Sequence, residues 1–179
     1  MRKLIVQEMV TLDGYFAGPE GEIDWHHVDK EYDEYAGQFL DSVDGLLFGR
    51  VTYQLMAGYW PTASGDIARK MNTLPKFVFS TTLDSADWHN TRLVKENAVE
   101  EVRRLKQQPG TSLAIFGSAD FASCLLQAGL IDEVHLTVVP VVLGKGKPLF
   151  QQIPDRLNMD LIHTKPFGSG SVQLHYRVS

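Results

Sequence analysis

The segment 46-LLFGRVTYQLM-56 runs from an apolar stretch through Gly49 into a pattern that predicts a helix, and it places Arg50 in the first turn. Unpaired N–H groups make a helix start electropositive, so a cation there loses roughly 0.3–1 kcal/mol unless an anion joins it. Two chemistries fit: an ion pair with a carboxylate such as Asp44, or a hold on an anionic ligand. Two further apolar runs end in groups of related kind. In 77-FVFSTTL-83 the run stops in Ser80, Thr81 and Thr82, hydroxyls that either donate to phosphate oxygens or form an ordinary turn. In 113-LAIFGSADFASCLLQAG-129 an apolar strand meets Gly117, then Ser118 as a cap candidate, then an amphipathic helix. That order brings a helix N-terminus against a phosphate, although the segment is neither G-x-G-x-x-G nor a Walker motif. Asp120 adds a negative charge close by, so a pyrophosphate on this turn would depend on backbone N–H groups, and a further phosphate of the same ligand would fall to Arg50.

Other reactive side chains carry weaker signals. His26 and His27 stand near Asp24 and Asp29, but adjacent residues in extended chain point to opposite faces and no further ligand cluster follows, so no metal is expected. Cys124 falls on the helical run Phe121, Cys124, Leu125, Ala128 and reads as a small buried residue rather than a nucleophile. Lys145 and Lys147 in a glycine-rich loop could bind an anionic substrate, and solvation is the commoner fate of such lysines.

The elements that must position these groups alternate along the chain. Apolar, β-branched segments at Lys3–Val10, Gly45–Phe48, Phe77–Ser80, Leu113–Phe116 and Val134–Val139 have strand length, and several are continuous runs of the kind covered on both faces of a parallel sheet. Candidate helices lie at Lys30–Val43, Val51–Gly58, Ala98–Gln108 and Asp120–Ala128. Asn97 with Glu100 reads as a capping pair for the third, and Gly129 with Leu130 as a left-handed stop for the fourth. Asn158–Lys165 and Ser171–Val178, separated by Pro166-Phe167-Gly168-Ser169-Gly170, predict an antiparallel hairpin that finishes the same sheet. In such a sheet ligands bind beyond the carboxyl ends of the strands, which is where Arg50, Ser80 and Gly117 fall.

Bulk properties narrow the partners. The chain has 179 residues, the size of one ordinary domain, and no repeat, low-complexity tract or linker divides it. A formal net charge of −5 removes the non-specific attraction on which nucleic-acid and anionic-membrane binders rely. The longest apolar run, Leu136 to Leu143, is far short of the ~20 residues of a membrane helix and contains Pro140. The opening MRKLIVQEMV is interrupted by Glu8 and reads as a strand rather than a signal peptide, and the lone cysteine fits a cytoplasmic protein.

Taken together, 11-TLDGYFAG-18, 47-LFGRVTYQ-54, 77-FVFSTTL-83, 115-IFGSADFASCLLQAGLIDEVHL-136 and 139-VPVVLGKGKPLF-150 resemble the dihydrofolate-reductase-like superfamily. Within it they are most similar to the C-terminal reductase domain of the bifunctional riboflavin-biosynthesis deaminase-reductase and its stand-alone bacterial relatives. The resemblance implies an α/β, three-layer fold whose central sheet of about eight strands is mostly parallel and ends in an antiparallel hairpin. It also implies NADPH as the cofactor and a homodimer. Gly49, Arg50, Val51 and Thr52 match the turn that holds cofactor phosphates, with Arg50 near the adenosine 2′-phosphate and Val51 standing where relatives carry a basic residue. Ser80 and Thr81 match a hydroxyl pair of the same site, and Gly117, Ser118, Ala119 and Asp120 match the turn that meets the pyrophosphate. The loop 13-DGYFAGPEGEIDWHH-27 corresponds to a cover over nicotinamide and substrate, with Asp13, Tyr15, Asp24 and Trp25 as candidate contacts; turn formation and loop anchoring are the alternatives. Folate-reducing relatives bind pterin through a helix carboxylate, a position for which Glu31, Asp33 and Glu34 compete without support from their surroundings. The expected activity is hydride transfer from NADPH to a small heterocyclic (pyrimidine- or pterin-like) or carbonyl substrate, with no residue marked as catalytic. A non-catalytic NADPH- or flavin-binding sensor or scaffold is the alternative.

Overall fold

A computed structural model describes residues 1–179. Its central strand β1 (Lys3–Thr11) is buried from Leu4 onward, and the buried positions are apolar except Gln7, Glu8 and Thr11. In chain order there follow β2 (Tyr15–Ala17), α1 (Lys30–Ser42), β3 (Gly45–Gly49), α2 (Arg50–Tyr59), α3 (Asp66–Thr73), β4 (Lys76–Phe79) and β5 (Thr91–Val94). The chain continues through α4 (Ala98–Gln107), β6 (Ser112–Phe116), α5 (Ala119–Gln127), β7 (Glu133–Val139), β8 (Lys147–Pro148), β9 (Met159–Pro166) and β10 (Val172–Val178). The main sheet has eight strands in the order β5-β4-β3-β6-β1-β7-β10-β9. Its first six are parallel, while β10 runs antiparallel to both β7 and β9, as the hairpin pattern predicts.

Period-two alternation divides the strands between two cores. Leu4, Val6, Leu47, Leu113 and Ile115 face one side with Val102 and Leu105 of α4 and Leu125 of α5. Ile5, Leu46, Phe48 and Ala114 face the other with Phe39 of α1, Tyr53 of α2 and Met71 of α3. Two helix layers around one sheet result, the three-layer arrangement expected.

Local chemistry explains several boundaries. Asp29 caps α1, its carboxylate accepting from the Tyr32 N–H at 2.8 Å. Gly129 takes φ 65° after α5, and the N–H groups of Gly129 and Leu130 donate at 3.0 Å to Leu126 and Leu125, the stop read from the sequence. The expected caps at Asn97 and Ser118 do not form. Both residues occupy cap positions, but both are left-handed (φ 55° and 61°) and neither side chain bonds its helix. Elements beyond those predicted are short or depend on distant pairing. β2 and β8 form a small separate ribbon, Tyr15 opposite Pro148 and Ala17 opposite Lys147, β5 is a half-exposed strand at the sheet edge, and α3 is a single amphipathic stretch of 8 residues.

Candidate functional site

Register assembles the three strand ends. The β3–β4 ladder closes on Gly49 opposite Phe79, so Arg50 and Ser80 stand side by side one residue beyond the sheet. The β3–β6 ladder pairs Leu47 with Ile115, which carries Gly49 and Gly117 to the same level. A Cβ on Gly49 would lie 1.9 Å from Ser118 Oγ, and one on Gly117, itself at φ +64°, would lie 2.1 Å from Thr52 Oγ1. Both positions therefore need glycine because the two turns interlock. No side chain caps either α2 or α5, so the N–H groups of both first turns remain open to a ligand.

Arg50 is exposed and donates from Nη1 to Gln54 Oε1 at 3.1 Å. The ion pair with Asp44 does not form, because Asp44 holds Arg2 and accepts from the Thr111 N–H at 2.7 Å. Arg50 thus sits at an uncapped helix start with no carboxylate in reach. Ser80 Oγ accepts from the N–H groups of Thr82 and Leu83 at 3.2 and 3.1 Å, an ordinary hydroxyl turn, and Thr81 is exposed.

Beside these turns lies a cavity of about 730 Å³, within the usual range for small-molecule sites. Val51, Thr52, Gly117, Ser118, Ala119 and Asp120 line it, whereas Gly49, Arg50, Ser80 and Thr81 lie outside its wall. One side of α2 presents Val51, Leu55 and Met56 to it, and Trp60, the residue after the helix, joins them. Val51 and Leu55 are 65% and 54% exposed, an apolar stripe left without a core partner. The β2–β8 ribbon closes another side through Phe16, Ala17 and Lys147.

The loop residues divide differently from expectation. Asp13 lies outside the cavity wall and ties two loops together, accepting from Thr11 Oγ1 at 2.7 Å and from the N–H groups of Leu143 and Gly144 at 3.2 and 2.8 Å. The Thr11 hydroxyl in particular holds the Asp13 carboxyl below the usual range. Tyr15 belongs to the ribbon, Asp24 is exposed, and half-buried Trp25 packs edge-on to His26 at 4.5 Å. From this loop Phe16, Ala17, Gly21, Ile23 and His26 reach the cavity. Burial pushes the His26 imidazole down to about 4 and leaves its Nε2 without a partner, while His27 is exposed. On α1, Asp33 reaches the cavity; Glu31 instead accepts from the Gly168 N–H at 2.9 Å, and Glu34 lies 4.0 Å from Lys30. Lys145 is exposed outside the wall. Cys124 is exposed, not buried, because its position on α5 turns it to solvent while Ser123 and Leu125 face inward.

Glu8 and Tyr32 complete the wall and were not singled out by motif. Burial pushes the Glu8 carboxyl up to about 8, against the nearby N–H groups of Gly117 and Met9, and its Oε1 has no hydrogen-bond partner. Burial likewise pushes the Tyr32 phenol up to about 12. The signal for Glu8 was its place in a strand otherwise apolar enough to be buried on both faces.

Comparison with known proteins agrees with this architecture. The chain is 35% identical to Bacillus subtilis (strain 168) YyaP over 180 residues, covering 98% of this chain and 94% of that protein. It is 34% identical to YwjB of the same strain over 176 residues, covering 98% and 97%. A putative riboflavin biosynthesis protein from Shewanella sp. PV-4 has the same fold at a TM-score of 0.78, with 24% identity and 99% of both chains covered. Dihydrofolate reductase from Enterococcus faecalis, solved in complex with NADP(H), superposes at 0.67 with 17% identity over 99% of this chain and 96% of that one. No helix here is long and apolar enough to cross a membrane. The model of the RibD C-terminal domain matches residues 2–173, and the chain belongs to that family.

Proposed function

We propose that the chain is an NADPH-dependent reductase of a small heterocyclic or carbonyl compound. The observation that carries this reading is the pair of interlocked, uncapped helix starts of α2 and α5, with Arg50 exposed beside them and free of any carboxylate. Open N–H groups at two helix starts suit a pyrophosphate, and a guanidinium suits a further phosphate because it offers a planar fork of donors. The residues present fit the cofactor: Val51, Thr52, Ala119 and Asp120 through backbone N–H groups, Arg50 through its side chain. When bound, NADPH supplies the hydride. The chain's own part is to orient and to dry the site. Val51, Leu55, Met56 and Trp60 form an apolar wall, and the β2–β8 ribbon, latched by Asp13, closes the opposite side against water. Dihydrofolate reductase from Enterococcus faecalis, solved in complex with NADP(H), lends the cofactor and reaction class as analogy.

The test is loss of NADPH absorbance on mixing the protein with a panel of pterins, pyrimidines and small carbonyl compounds. Turnover with at least one member, abolished when NADPH is omitted, is expected. NADPH that is bound but oxidised by none of them would replace this reading with that of a sensor.

A further inference from the structure

Glu8 is held in the cavity unlike its other acids. The β1–β6 ladder ends at Gln7 opposite Phe116, and Gly117 then turns out of the sheet at φ 64°. At the next position β1 keeps only its β7 partner, Glu8 opposite Leu136. Glu8 therefore stands at the fork where two neighbouring parallel strands part, beneath the turn that starts α5. Only 9% of it is exposed, no cation pairs with it, and Oε1 has no hydrogen-bond partner.

Charged and titratable groups reach the same cavity from each surrounding element: Tyr32 and Asp33 from α1, His26 from the loop before it, Asp120 from α5 and Lys147 from β8. Burial keeps Tyr32 and His26 neutral near pH 7. The wall then offers three carboxyl groups, Glu8, Asp33 and Asp120, against Lys147 alone. Lys147 lies out on the ribbon, its Nζ 3.7 Å from where a Cβ on Gly21 would be.

A buried carboxyl without a cation is stable as the neutral acid, which donates through O–H and accepts through C=O. Such a group pairs with a ring nitrogen or carbonyl oxygen, and away from the α2 and α5 helix starts the wall has no cation but Lys147 to hold a phosphate. We propose that Glu8, as the neutral acid, anchors the substrate, and that the substrate is an uncharged planar heterocycle without a phosphate, bonded through a ring nitrogen or carbonyl oxygen. This rests on the reductase reading above and adds to it the substrate's charge and the group that holds it.

Two measurements test the proposal without turnover. In the infrared spectrum of the protein alone at neutral pH, a protonated carboxyl C=O band should be present, vanish as pH rises through about 8 and be missing in Glu8→Gln. Riboflavin and FMN, which share a ring system and differ by one phosphate, are then titrated by flavin fluorescence. Riboflavin should bind at least tenfold more tightly than FMN, and should lose about tenfold per pH unit above the Glu8 midpoint. Glu8→Gln, which keeps an uncharged hydrogen-bonding group, should remove that pH dependence. Absence of the band, FMN binding as tightly as riboflavin, failure of riboflavin to bind, or an unchanged pH profile in Glu8→Gln would each overturn the proposal. A melting-point shift by NADPH, measured on the same two proteins, separates the readings: a shift kept in both while the Glu8 results fail leaves the reductase standing and removes only the anchor.

Discussion

Single residues carry most of the functional content, and Arg50 and Glu8 show how differently residues are read. Arg50 was visible in the sequence because a cation at a helix start is electrostatically out of place. What the sequence left open was its partner, and only the contacts of Asp44 with Arg2 and Thr111 decide that Arg50 has no carboxylate. Glu8 was visible as an acid inside a buried strand, but its meaning depends on where β6 leaves the sheet, which no local pattern encodes. Asp13 ran the other way, its carboxylate being spent on loop N–H groups 130 residues on. Glu8 also makes a stability prediction. Its carboxyl titrates at about 8 in the folded chain against an ordinary value of 4.5. The neutral acid's contribution is thus fully present below 4.5 and is lost as pH rises toward 8, at up to about 1.4 kcal/mol per pH unit. Glu8→Gln should raise the melting temperature at pH 7 and flatten this decline. Melting curves across that window check it, and an equally steep decline in the variant would show that Glu8 is not its source.

At the scale of elements, the long ones were legible and the short ones were not. β3 and β6 are nearly continuous apolar runs, β1 and β7 are apolar-rich and β-branched, and α1 and α5 carry a cap or a stop that operates locally. The β2–β8 ribbon has no local signature because its two strands, 3 and 2 residues long, find each other across the chain. α3 is held by a contact close in sequence that no capping motif announces. Buried Lys76, the first residue of β4, donates from Nζ to the carbonyls of Met71, Asn72 and Leu74 at 2.9, 3.1 and 2.7 Å, closing the C-terminal end of α3. Lys76→Met would keep the apolar stem and leave those carbonyls without a donor. A loss of roughly 1–3 kcal/mol is expected, read as a lowered midpoint in urea unfolding; an unchanged midpoint would mean that the carbonyls find other partners.

For the whole molecule, strand order turns scattered motifs into one site. β4, β3, β6 and β1 are neighbours in the sheet although β3 and β6 are separated in sequence by β4, β5 and the three helices α2, α3 and α4. Their carboxyl ends therefore share one crevice, with the cavity on one side and Arg50 on its rim. The central claim, that this crevice holds NADPH with Arg50 as the group that tells it from NADH, belongs to this scale because it needs every one of those strand ends. It is tested most directly by thermal unfolding of the native chain and Arg50→Ala with NADPH and with NADH. At 100 times its dissociation constant NADPH should stabilise the native chain by about 2.7 kcal/mol, several degrees for a protein of this size. NADH at the same concentration should shift it far less. In Arg50→Ala, whose melting temperature without ligand should be unchanged, NADPH should bind roughly tenfold to a hundredfold more weakly, the loss of one charge-assisted contact. Equal shifts by NADPH and NADH in the native chain, or an NADPH shift that survives Arg50→Ala undiminished, would contradict the account.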